Sequence, residues 1–375
     1  MILVIDTVRG PGEHMQLNEA IMESILDKDE KVIFFTSHKY AKSFPEELQK
    51  KIIFKNTERI MSGVVGIFKT IHIILKVIFF QKRYKSIIFL SSTAYNSFIT
   101  ALLTHIGVIR PKVIIFLHEV SYFDDTNLSK KIAAFFIKIS LKLGLANNGK
   151  FVITGEYIKK ELTKRTHFKK KSTFFIEHPT SKYSHHPQIN FDPDKLLKFS
   201  SVGVQCIEKH SNKIEVIANN LKDLIKNKKI DISSIGRLEY EYDQNSLVNH
   251  LGLGYEDYLI PRENFESLIN QQTYFLLFLG KEYDLKTSGV VFDAIKFLKP
   301  IIGLKCNLLD FYFEKFGEIG YLFNNLDEMH IFIRSISSSF DVDRYNIQVQ
   351  NLRLARESTS QENFTKQIFN LMQDN

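Results

Sequence analysis

Short apolar runs recur along the first half of the chain, at residues 2–5, 31–35, 52–54, 87–90, 113–117, 151–154 and 173–176. They are rich in Val, Ile and Phe and short enough to be strands buried on both faces. Helix-length segments lie between them, among them 17–26, 129–143 and 156–165. A strand that is apolar on both sides needs cover on both sides. The alternation therefore predicts a parallel sheet with helices on both faces. A second series follows, with strands expected at 199–204, 230–235, 274–279, 300–304 and 320–323 and helices at 214–225, 264–270, 290–297 and 327–335. Between the two series, residues 181–198 are mostly Ser, His, Pro, Asn and Asp, which is a linker composition. The prediction is an α/β chain of two Rossmann-like, doubly wound domains, residues 1–180 and 199–359, facing each other across a cleft. Residues 360–375 should form a terminal helix that packs back on the N-terminal domain. Ligands of such sheets bind at the carboxyl ends of the strands.

The stretch 60–80 is long and apolar but holds Lys69, His72 and Lys76. Charge at those positions disfavours a bilayer span. A helix packed on the sheet, with one face toward a membrane surface, fits better.

Composition narrows the class. The chain has 375 residues, 44% hydrophobic and 25% charged, which is a globular balance. Its two cysteines, Cys206 and Cys306, make neither a disulfide framework nor a zinc site, so a reducing cytoplasm is expected. The first residues lack a basic leader and a cleavage site, so no signal peptide is expected. The formal net charge is +8, with basic residues dense at 164–171 and again at 59–85. Such a surface suits an anionic small substrate, an anionic lipid or a nucleic acid, and charge alone does not choose.

The chemistry is best marked between residues 278 and 323. A strand is followed by Asp284-Leu285-Lys286-Thr287-Ser288-Gly289 and then by a helix. A small polar loop at a helix N-terminus makes an anion site, because unsatisfied N–H groups and the helix dipole both favour phosphate. Thr287 or Ser288 is expected to cap the helix and offer a hydroxyl. Asp293, one turn in, suits the hydroxyls of a sugar. The same residues equally describe an ordinary capped helix with a surface Asp.

Ser288-Gly289, Asp293-Ala294, Phe297-Leu298-Lys299-Pro300-Ile301-Ile302 and Gly320-Tyr321-Leu322-Phe323 occur in the order and spacing found in GT-B glycosyltransferases. The C-terminal half resembles the retaining group typified by glycosyltransferase family 4. The resemblance implies a nucleotide-sugar donor of the UDP, GDP or dTDP type, with its diphosphate on Thr287, Ser288 and Gly289. Ser201-Val202-Gly203 followed by Lys209 is similar to the opening of the family's second domain, with Lys209 on the diphosphate. Val204 stands where an Arg is usual, and Arg237, after Ile235-Gly236, is the candidate replacement. Tyr258-Leu259-Ile260-Pro261 looks like the segment whose backbone reads the base, at Ile260. The retaining group carries a second acid eight residues before the helix acid. That position is Leu285 here, and Asp284 lies one residue off register, so the signature is broken and the stereochemistry stays open.

In the first domain the loop Arg9-Gly10-Pro11-Gly12-Glu13-His14 occupies the place of the family's Gly-rich loop, with Gly12 beside the donor. Glu13 or His14, and His118 or Glu119 at the next marked strand end, are the candidate bases. His178-Pro179 is expected to shape the linker. Asp124-Asp125 and Asp341-Val342-Asp343 invite a metal reading, but the resemblance implies none, and neither an essential metal nor a cofactor is expected.

The expected function is therefore transfer of a sugar from a nucleotide donor to a hydroxyl, with a lipid-linked glycan at the inner membrane face as acceptor, in O-antigen, capsule or other surface-polysaccharide assembly. Three alternatives stay open. A sugar-nucleotide epimerase of the same fold would act without acceptor. A non-catalytic scaffold would bind nucleotide without turnover. A basic nucleic-acid-binding protein would need a recognition module, and none is evident, so no nucleic-acid partner is expected.

Overall fold

The computed structural model describes residues 1–8, 14–27, 30–57, 64–180, 196–241, 243, 245–251 and 260–373. Contacts divide the chain into two compact units. The first comprises Met1–Ser181, Leu285–Thr287 and Gln361–Asn375, and the second Lys182–Asp284 and Ser288–Ser360.

In the first unit the order is β1 (Ile2–Asp6), α1 (Met15–Leu26), β2 (Val32–Thr36), α2 (His38–Ala41), α3 (Glu46–Lys51), β3 (Ile52–Asn56), α4 (Val64–Phe80), β4 (Ser86–Phe89), α5 (Ala94–His105), β5 (Lys112–Phe116), α6 (Leu128–Leu143), β6 (Lys150–Thr154), α7 (Glu156–Arg165) and β7 (Thr173–Ile176). The strands form a 7-stranded parallel sheet in the order β3-β2-β1-β4-β5-β6-β7. Every residue of β1, β4 and β6 is buried, which is why these segments are apolar without alternation. Right-handed crossovers place α1 and α3 on one face and α4, α5 and α6 on the other.

The second unit runs β8 (Leu197–Val202), α8 (Lys213–Asn220), α9 (Lys222–Lys226), β9 (Ile230–Ile235), β10 (Asn249–Leu251), α10 (Arg262–Asn270), β11 (Tyr274–Leu277), α11 (Gly289–Phe297), β12 (Ile301–Leu304), α12 (Asn307–Phe316), β13 (Gly320–Phe323), α13 (Leu326–Ile336) and α14 (Val342–Ser358). Its 6-stranded parallel sheet has the order β10-β9-β8-β11-β12-β13. In each sheet the order reverses once, at β1/β4 and at β8/β11. Those reversals mark where a doubly wound sheet opens to a ligand.

The last helix, α15 (Gln361–Gln373), belongs to the first unit. Phe364, Ile368 and Leu371 join a core cluster with Leu17, Ile21 and Ile25 of α1. Ser24 Oγ and Thr365 Oγ1 share a hydrogen bond of 2.8 Å, and Gln361 Nε2 donates to the Ala20 carbonyl at 3.0 Å.

The apolar stretch forms α4, and among the described residues no helix is long and apolar enough to cross a membrane. Three elements carry weak sequence signals: β10 is short, α12 follows its strand closely, and α14 is polar on most of its surface. The Asp341 side chain accepts from the Arg344 amide and starts α14, which buries Tyr345, Gln348, Val349, Leu352 and Ala355.

Candidate functional site

The carboxyl edge of the second sheet gathers three loops. Gly203 follows β8 with φ 95°, and Gly236 follows β9 with φ 134°. A β-carbon on Gly236 would lie 2.1 Å from the Gly203 carbonyl oxygen. The two loops pair as strands would: the Gln205 amide donates to the Arg237 carbonyl and the Glu239 amide to the Gln205 carbonyl, each at 2.8 Å. Only glycine fits at 236, on both steric and torsional grounds. Gly236→Ala is expected to cost about 2–4 kcal/mol in urea denaturation.

The same edge holds the start of α11. A β-carbon on Gly203 would touch Val290 Cγ2 at 3.5 Å, so the loop after β8 lies against the helix's first turn. Gly289, the first residue of that turn, has no heavy atom within 4 Å of where its β-carbon would be. Beside that residue the first turn thus faces open space. The cap differs from expectation. Ser288 takes the N-cap position but is buried and makes no side-chain cap bond. Thr287 packs within the first unit, where its hydroxyl donates to the Thr154 carbonyl at 2.7 Å. The N–H groups of the first turn therefore receive no cap from either hydroxyl, and they keep the capacity to bind an anion.

Two cations sit on the neighbouring loops. Lys209 ends a short helical turn after β8, is half-buried, and has no acidic partner among the described residues. Arg237 ion-pairs with Glu239, and its Nε is buried without a hydrogen-bond partner among the described residues. The Glu239 carboxylate shares the charge of this candidate guanidinium. Asp293 is half-buried in the second turn of α11, and Ile260 precedes Pro261 at the start of α10. Tyr258 and Leu259 lie outside the described residues. Leu285 is buried, and Asp284 accepts from Asn307 Nδ2 at 3.2 Å. Burial pushes the Cys206 thiol above its ordinary range, so Cys206 serves as a neutral filler of its loop.

Sequence reasoning passed over one pair at the β8/β11 reversal. His210 Nε2 lies 3.6 Å from Glu282 Oε2, and Glu282 Oε1 accepts the Gly280 amide at 2.9 Å. Position at two strand ends was the only signal available for either residue.

At the edge of the first sheet, two expected residues come together. The His14 and His118 rings lie 4.4 Å apart, tilted by 46°. His14 precedes α1 in the left-handed region, φ 52°, a conformation rare for a side-chain-bearing residue. His118 follows β5, and its Nε2 is 2.9 Å from the Leu90 carbonyl. A carbonyl only accepts, so Nε2 carries the proton and Nδ1 is the basic nitrogen. At the end of β1, Asp6 is 1% exposed. Its carboxylate accepts from the Val8 amide at 3.2 Å, Asn18 Nδ2 at 3.0 Å and Ser91 Oγ at 3.2 Å, and Asn18 also donates to Tyr40 Oη at 2.6 Å. This buried polar network fixes the end of β1. Gly12 and Glu13 lie outside the described residues, as does the side chain of Glu119, which opens the turn Glu119–Asp124.

The acidic pairs have structural partners. Asp124 accepts two bonds from Arg165 Nε, at 3.0 and 2.8 Å, and Asp125 accepts from Lys130 at 2.7 Å. Asp341 caps α14. Among the described residues no group of three or more His, Cys, Asp or Glu is placed to hold a metal ion. His178 Nδ1 donates to the Pro179 carbonyl at 2.9 Å, and burial lowers its pKa.

Two parallel α/β sheets of this order, each reversing once, match known structures over the whole chain. WaaG, a glycosyltransferase involved in lipopolysaccharide biosynthesis, aligns with a TM-score of 0.66 and 9% identity, covering 100% of both chains. This is the GT-B fold. Anabaena Alr3699/HepE, solved in complex with UDP-glucose, shares this GT-B fold with a TM-score of 0.65 and 12% identity, covering 100% of this chain and 99% of that one. The lipopolysaccharide outer core galactosyltransferase WaaB aligns at 0.62 and 12%, over 99% and 98% of the two chains. No protein-family model and no curated protein matches the chain.

Proposed function

We propose that this GT-B chain is a glycosyltransferase. It moves a sugar from a nucleoside-diphosphate donor to a hydroxyl of a lipid-carried glycan, in the cytoplasm at the inner membrane face, during cell-surface polysaccharide assembly. The observation that carries the reading is the open N-terminus of α11 at the edge of the second sheet, with Lys209 on the adjoining loop. The α11 amides and Lys209 hold the diphosphate, Arg237 adds its buried Nε–H, and Asp293 takes the sugar hydroxyls. Ile260 lies beside the base.

In the reaction, the bond from the anomeric carbon to the β-phosphate oxygen breaks and its electron pair leaves with the nucleoside diphosphate. The acceptor oxygen forms the new bond and loses its proton. His118 Nδ1 takes that proton, with the His14 ring tilted against it. The fold of WaaG and HepE supports this reading at the level of architecture, and the named residues are this chain's own.

The test uses radiolabelled UDP-, GDP- and dTDP-sugars with a membrane lipid extract. Label from one donor is expected to move into the lipid phase with release of the nucleoside diphosphate. An epimerised nucleotide sugar formed without lipid would instead make the chain an epimerase. Unchanged donors in every case would remove the transferase reading.

A further inference from the structure

The outer surface of the α4–α5–α6 layer has a composition unlike the rest of the molecule. Phe68, Ile71, Leu75 and Phe79 follow one another along α4 at helical spacing, and all are exposed, Phe68 by 68% and Phe79 by 80%. The opposite side of α4 buries Ile73, Ile74 and Val77. On α6, Leu128, Ile132 and Phe135 form a second exposed apolar stripe, and Leu102 and Ile106 extend the surface at α5. α5 lies against both α4 and α6, held to α6 by Phe136 between Tyr95 and Phe98. Because the three helices form one layer on one face of the sheet, their exposed sides point outward together.

The charged side chains of the three helices have a single sign, and one of them, Lys130, is paired with Asp125 just ahead of α6. α4 and α6 carry Lys69, Lys76, Lys130, Lys131, Lys138 and Lys142, Lys82 and Arg83 follow α4 directly, and the three helices contain no Asp or Glu. Isolated exposed apolar residues are ordinary, but aligned aromatic and aliphatic stripes ringed by lysine are not. A protein partner matched to this surface would need both a large apolar face and a purely acidic rim. An anionic bilayer offers both at once: acyl chains for the Phe and Leu side chains, and phosphate headgroups for the lysines, whose long stems reach outward from the apolar body.

We infer that α4, α5 and α6 form a membrane-docking face that lies flat on an anionic phospholipid surface, with Phe68, Leu75, Phe79 and Phe135 entering the headgroup–acyl boundary. This deepens the reading of a lipid-carried acceptor, since it holds the first unit at the membrane where such an acceptor would be.

The test is flotation of the full chain with vesicles of phosphatidylcholine alone or of equimolar phosphatidylcholine and phosphatidylglycerol, without nucleotide. Binding to the mixed vesicles and not to the neutral ones is expected, weakening as salt rises. A Phe68→Ser/Leu75→Ser/Phe79→Ser variant should lose about tenfold or more of that binding. An Ile331→Ser/Ile347→Ser variant, which changes exposed apolar residues of the second unit, should bind as the parent does. No flotation with either vesicle, equal binding by the α4 variant, or self-association that buries the face instead would overturn the proposal. The assay involves no sugar donor, so its outcome is separate from that of the transfer assay.

Discussion

His118→Ala and His118→Gln are both expected to slow sugar transfer by about 10²–10⁴-fold, which is about 3–5 kcal/mol of transition-state stabilisation, the range for removing a positioned general base. The ring is held by its Nε2–H on the Leu90 carbonyl, so the proton acceptor is Nδ1. Glutamine can still donate a hydrogen bond to Leu90 but has no nitrogen that accepts a proton. It therefore separates the structural contact from the chemistry. Nucleotide-induced thermal shifts should be unchanged in both variants, because the donor site is built by the second unit. A glutamine variant within about tenfold of the parent rate would remove His118 as the base.

The largest expected loss of stability comes from a buried ion pair behind the donor helix. Lys296 Nζ of α11 lies 3.0 Å from Glu266 Oε1 of α10, and the two side chains are 3% and 2% exposed. The ammonium also sits 4.9 Å from the centre of the Phe297 ring. Glu266→Leu would leave an ammonium in this interior without its carboxylate. Breaking such a pair on one side costs about 3–5 kcal/mol, a large fraction of a typical domain's stability. Lys296→Met/Glu266→Leu removes both charges, and apolar replacements of similar volume often match or exceed a buried pair. The double variant should recover most of the loss in denaturant titration, and a double variant as unstable as the single one would show that the pair is not the cause.

Burial also pushes the Lys299 pKa down to about 8, well below the ordinary lysine range. Between that value and the ordinary one the unfolded chain binds more protons than the folded chain. Lys299 therefore opposes folding below that window, and the opposition fades as pH rises through it, which urea titrations across that pH range would show as rising stability.

The same interior shows why parts of the sequence mislead. Lys296 follows Asp293-Ala294-Ile295 at a spacing that suggests a solvent face. Yet Val291, Phe292 and Ala294 through Phe297 are all buried, with α14 packed against α11 and Glu266 of α10 paired to Lys296. The strands were legible because a strand covered on both faces is apolar at most positions. α14 was not, because its buried face includes Gln348 and Tyr345 and its exposed positions are mostly polar. Of the site, the Ser288-Gly289 loop could be read from helix-terminus chemistry. The meeting of His14 with His118 could be anticipated only as two strand-end positions. The His210–Glu282 pair and the Asp6–Asn18–Tyr40 network depend on which strands become neighbours, which residue spacing alone does not encode. The direction of the Thr287 hydroxyl likewise depends on its packing against Thr154.

The most direct test of the account is a thermal-shift panel of UDP, GDP, dTDP, CDP and CMP, with and without magnesium. One nucleoside diphosphate is expected to raise the midpoint, by the equivalent of about 2.7 kcal/mol at about a hundred times its dissociation constant. Lys209→Ala and Gly289→Ala should each abolish that rise, the first by removing the cation of the adjoining loop and the second by filling the open space beside Gly289. If no nucleotide shifts the midpoint, or if the shift survives both substitutions, the donor site is not at the N-terminus of α11 and the account fails at its centre.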